Sequence, residues 1–159
     1  MKAGDLLTRV KETSGYAERK YDYAVIMGLI QSGREELDRS ISTIPGLRNP
    51  FASIDQAFDV AGELTPKMRD RHLRFVYGRV VSDLDDYAGK LRDGRPSGTG
   101  FVAQPYSLTA QVELDAIQQK RRDRYKRSES LLEEVADLRL LAVLYFNALL
   151  SSNGIKLEQ

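Results

Sequence analysis

Six cations crowd into eight consecutive positions of this 159-residue chain: Lys120, Arg121, Arg122, Arg124, Lys126 and Arg127, with Asp123 and Tyr125 between them. Guanidinium and ammonium groups at that density neutralise phosphates, so one chemistry to consider is sequence-independent binding of RNA or DNA. The competing explanation is structural. Glu35, Glu36 and Asp38 lie in a matching polar gap of an earlier helical stretch, where antiparallel pairing would bring opposite charges together. Exposed pairs of this kind contribute only about 0–1 kcal/mol each and set register more than stability. From the sequence alone, pairing is the first expectation for the basic stretch and nucleic acid the second.

The remaining reactive residue types form no recognisable constellation. His72, the one histidine, stands among Arg69, Arg71 and Arg74, with no nucleophile signature and no second histidine for a metal site. Asp83, Asp85 and Asp86, together with Glu133, Glu134 and Asp137, would gather carboxylates for Mg²⁺ or Ca²⁺ if their helices touched. The same spacing describes the wet side of amphipathic helices, and no EF-hand pattern accompanies it. Gly94, Gly98 and Gly100 suggest a phosphate loop by glycine content, but Phe101 and Val102 follow where a P-loop needs lysine and a hydroxyl residue. With no cysteine in the chain, thiolate metal sites and cysteine nucleophiles are excluded. The expectation is a non-enzymatic protein without catalytic residues, cofactor or metal.

The elements that would carry these residues are helical throughout. After Gly4, Leu6, Leu7 and Val10 start an apolar face that Ser14 and Gly15 kink. From Tyr23 a four-three seam follows through Met27, Ile30, Arg34, Leu37, Ile41 and Ile44 until Pro45-Gly46. Asn49-Pro50 and Thr65-Pro66 each supply a helix start, the first helix ending near Gly62 and the second near Arg92. A last uninterrupted pattern runs from Ser107 to Asn153-Gly154, along Ala110, Leu114, Ile117, Arg121, Arg124, Ser128, Leu131, Val135, Leu138, Ala142, Tyr145 and Leu149. No alternating run long enough for a strand is present. The expected fold is all-α: an elongated helical bundle with two long antiparallel helices, about 5–44 and 107–152, and a shorter helical pair between them.

The length suits a single domain spanning 1–159, with 93–106, rich in glycine and proline, as a flexible loop. Basic and acidic residues nearly balance at 24 and 23, which argues against a bulk nucleic-acid coat and confines any basic surface to a patch. The first ten residues lack the apolar core of a signal peptide, and Leu140 to Phe146 falls short of a membrane span, so a cytoplasmic protein without membrane contact is expected.

One feature suggests a partner. From Leu131 to Leu150 the last helix is apolar around most of its circumference, which calls for neighbours on nearly every side. If the chain's own helices cannot cover it, a second copy must. The leading expectation is therefore an assembly or adaptor protein, acting through protein-protein contacts as a homodimer or higher homo-oligomer. Its interface would use Tyr23, Met27, Ile30, Leu138, Leu141, Tyr145 and Leu149. The runner-up is an RNA- or DNA-binding subunit that uses 120–127.

Overall fold

The computed structural model describes residues 3–13, 18, 20–93 and 108–157. These residues form α1 (Ala3–Thr13), α2 (Tyr23–Ser42), α3 (Pro50–Ala61), α4 (Pro66–Asp93) and α5 (Leu108–Ser152), with no strand among them. The expected all-α class holds. At 45 residues, α5 is a long, bent helix whose contour approaches roughly 68 Å at 1.5 Å per residue.

Several helix boundaries follow from local chemistry. Asn49 caps α3 by accepting from the amides of Phe51 at 3.0 Å and Ala52 at 3.3 Å, while Pro50 fills a first-turn position that needs no donor. At the other end of α2, Gly46 adopts φ 73°, a left-handed conformation that costs glycine little. The end of α5 is a Schellman turn. Gly154, at φ 64°, donates to the Ser151 carbonyl at 3.2 Å, and Ile155 donates to the Leu150 carbonyl at 2.9 Å.

The first long helix expected over about 5–44 is instead two helices. Asp22 starts α2 afresh by accepting from the amide of Val25 at 3.3 Å. Helix α1 packs against both α2 and α5, which a continuous rod would prevent. Its buried stripe, Ala3, Leu6, Leu7 and Val10, is the helical i, i+3, i+4, i+7 face. The pair of long antiparallel helices is thus replaced by one long helix and four shorter ones. The kink expected at Ser14 and Gly15, and the loop expected at 93–106 apart from Asp93, lie outside the described residues.

The carboxyl-terminal half of α5 is the axis of the bundle, and α1, α2, α3 and α4 all pack on it. Val135, Leu138, Leu141, Ala142, Leu144, Tyr145, Phe146 and Ala148 are buried, and no large apolar residue between 131 and 150 is exposed. Phe146 sits between two rings, with Phe58 of α3 at 5.3 Å and Tyr77 of α4 at 4.9 Å between centroids. The apolar girdle is therefore packed mainly against its own chain, with Leu131, Leu132, Leu140, Leu149 and Leu150 half-buried. Helix α1, separated from α2, covers a side that a single rod would have left open.

Leu138→Ala should cost about 2–5 kcal/mol of unfolding free energy, because it removes a fully buried side chain from the axis. Ile117→Ala, at a residue 49% exposed, should stay within about 0.5 kcal/mol of the parent. Equal effects in urea titrations would contradict this division of α5.

Candidate nucleic-acid interface

Amino-terminal to the axis, α5 changes character. Between Asp115 and Arg127 each described side chain is exposed except the half-buried Gln118, although the helix continues unbroken. Lys120, Arg121, Arg122, Arg124, Lys126 and Arg127 are all exposed, and none has an ion-pair partner among the described residues. At 100° per residue their side chains radiate around the helix rather than forming one stripe. Asp123, the acid in their midst, accepts a hydrogen bond from Gln119 at 3.1 Å.

The acids expected to pair with this stretch have other partners. Glu35 accepts from Arg39 at 2.7 Å within α2. Glu36 likewise has an interaction partner of its own, and its pKa is lowered. Asp38 accepts from Arg34 at 2.8 Å and from the Asn49 amide at 2.8 Å. The basic stretch is consequently left to solvent or to a partner from outside the described residues.

Asp38 belongs to a polar cluster that joins three helices; sequence reasoning noticed Arg34, Asp38 and Tyr145 without connecting them and missed Asp55. Arg34 of α2 binds Asp38 and also reaches Asp55 of α3 at 2.8 Å. Its guanidinium carbon lies 5.6 Å from the Phe51 ring centre and 5.8 Å from that of Tyr145. Tyr145 of α5 donates its hydroxyl to Asp55. Burial opposes the charge on Arg34, but its bonds to the two aspartates and their charges outweigh that and raise its pKa. Every group in the cluster answers another, so it reads as a register lock between α2, α3 and α5.

The residues expected at an intermolecular interface serve the internal core. Ile30, Leu138, Leu141 and Tyr145 are buried, and Tyr23, Met27 and Leu149 are half-buried against the same core. The first four are out of reach of a partner unless the bundle opens.

Other candidates are dispersed. His72 lines a cleft of about 290 Å³ between α3 and α4, and its buried Nε2 has no hydrogen-bond partner. Asp85 binds Arg139 at 2.9 Å, and Glu134 accepts from Ser40 at 2.9 Å. No group of three or more acidic, histidine or cysteine side chains among the described residues is placed to hold a metal ion. The glycine-rich segment, with Phe101, Val102 and Tyr106, lies outside the described residues. By length and composition alone, one stretch within Asp115–Ser152 is apolar enough to cross a membrane, and 44% of its apolar window is buried in the bundle. No protein-family model, curated protein or solved structure shows significant similarity to this chain.

Tyr145 gives this arrangement a pH signature. Burial, followed by the hydrogen bond and charge of Asp55, pushes its pKa from 10.0 to about 12. The folded protein keeps this proton where the unfolded chain releases it, so the contribution to stability is complete below pH 10.0 and lost as pH rises through about 12. In a tyrosinate absorbance titration, Tyr145→Phe should remove the component that ionises near pH 12. An unchanged curve would show that Tyr145 does not hold its proton in the folded state.

Proposed function

We propose that this chain is a cytoplasmic, non-enzymatic helical subunit that binds nucleic acid through the arm of α5. The observation that carries the reading is the run of six exposed cations, from Lys120 to Arg127, that lack an acidic partner among the described residues. An α-helix with its side chains is about 10–12 Å across and enters a major groove about 12 Å wide, where cations on several sides of it meet phosphates of both strands. Such contacts position the helix without reading bases, so affinity is largely electrostatic. The bundle's part is mechanical, because it anchors the helix that presents the charges.

A second reading rests on Ile117. It is 49% exposed and shares the four-three seam with Arg121, Arg124 and Ser128, so the arm has an unpartnered apolar position where a helix of another chain would pack. In this adaptor reading a second copy or another protein pairs with the arm, and the bundle core takes no part. It is distinguished by mass, since self-pairing doubles the particle before any oligonucleotide is added.

Binding to a short DNA duplex at low salt should weaken as salt rises. Arg121→Gln, Arg122→Gln and Arg124→Gln together should reduce the slope of log affinity against log salt by about 2–3, close to one unit for each lost phosphate contact. Analytical ultracentrifugation with and without the duplex checks both readings. No binding at low ionic strength, or binding indifferent to salt, would reject the nucleic-acid reading, and a single-chain mass throughout would reject self-pairing.

A further inference from the structure

We infer that the groove at the carboxyl-terminal end of α5 binds a small amphipathic carboxylate, with the apolar body laid against Tyr23, Tyr77, Leu150 and Ile155 and the head met by Arg74 and Lys156. The groove, open to solvent along one side, offers about 740 Å³, within the roughly 300–1,000 Å³ range of small-molecule sites. The Schellman turn creates it. By reversing the chain at Gly154, the turn brings Ile155 beside Leu150 and carries Leu157 back over the bundle, so the tail becomes one wall. Tyr77 and Phe146, in ring contact at 4.9 Å, line the groove together with Tyr23.

Charge selects the head group. Arg74 and Lys156 are both exposed at the groove, and among the described residues neither has an ion-pair partner and none that lines the groove is acidic. Two cations beside an apolar cavity favour an anion that brings its own apolar body. The hydroxyls of Tyr23 and Tyr77 also make no hydrogen bond among the described residues, which leaves two further donors for carboxylate oxygens. An uncharged alkyl ligand would bury the same surface and leave both cations unanswered.

Octanoate, with octanol as its uncharged counterpart, tests the assignment in calorimetry and in amide NMR of Ile155 and Leu157. One octanoate should bind per chain, shift those two amides saturably and compete weakly with octanol. Arg74→Gln with Lys156→Gln should weaken octanoate about tenfold or more, the scale of one lost charge-assisted contact, with melting of the free protein unchanged. Absence of saturable binding to the parent chain, equal affinity for octanol, or octanoate binding unaltered in the double variant would each overturn the inference.

Discussion

Everything in this architecture depends on one constraint: the carboxyl-terminal half of α5 is apolar on nearly every side and must be surrounded. Burying a large aliphatic or aromatic side chain is worth about 1.5–3 kcal/mol, and this stretch presents Leu138, Leu141, Leu144, Tyr145 and Phe146 within nine residues. One neighbouring helix cannot cover such a surface. The chain divides its remaining length among α1, α2, α3 and α4, each of which contributes an apolar stripe to the axis. The same helix then carries its charge outward, because the apolar pattern gives way to arginine and lysine where the neighbours end.

Hydrophobic burial specifies that helices gather around α5 but leaves their register loosely defined. Directional contacts supply it. Arg34, Asp55 and Tyr145 connect α2, α3 and α5 through charge-assisted hydrogen bonds and ring contacts, while Asn49 holds Asp38 with its amide and caps α3 with its carbonyl oxygen. A slide of one helix by a turn would leave half-buried charges without partners. The hub is therefore better understood as specifying one packing arrangement than as adding much net stability.

Legibility in the sequence followed the range of the interactions. Asn49-Pro50, Thr65-Pro66 and Asn153-Gly154 marked helix ends because capping and turn chemistry act within a few residues. The separation of α1 from α2 was harder to read, since the same apolar periodicity continues on both sides of the break and only the fold-back onto α5 distinguishes two helices from one. How far the chain's own helices cover the 131–150 girdle depends on that break. Arg34 stood out as a cation in an apolar seam, yet nothing local connected it with Asp55 or with Tyr145 more than a hundred positions away. The basic stretch was legible as composition. That Glu35, Glu36 and Asp38 would be occupied elsewhere was not, because it depends on which helices meet.

The central claim is that α5 is one helix with two environments, a sealed axis and an exposed cationic arm, for which a polyanion is the proposed partner. Hydrogen exchange read by mass spectrometry on the full chain tests it most directly. The account predicts slow exchange across 135–148, fast exchange across 115–127 in the free protein, and protection of the arm alone when a nucleic-acid duplex is added at low salt. Strong protection of 115–127 in the free, single-chain protein, or no change there on adding the duplex, would contradict it.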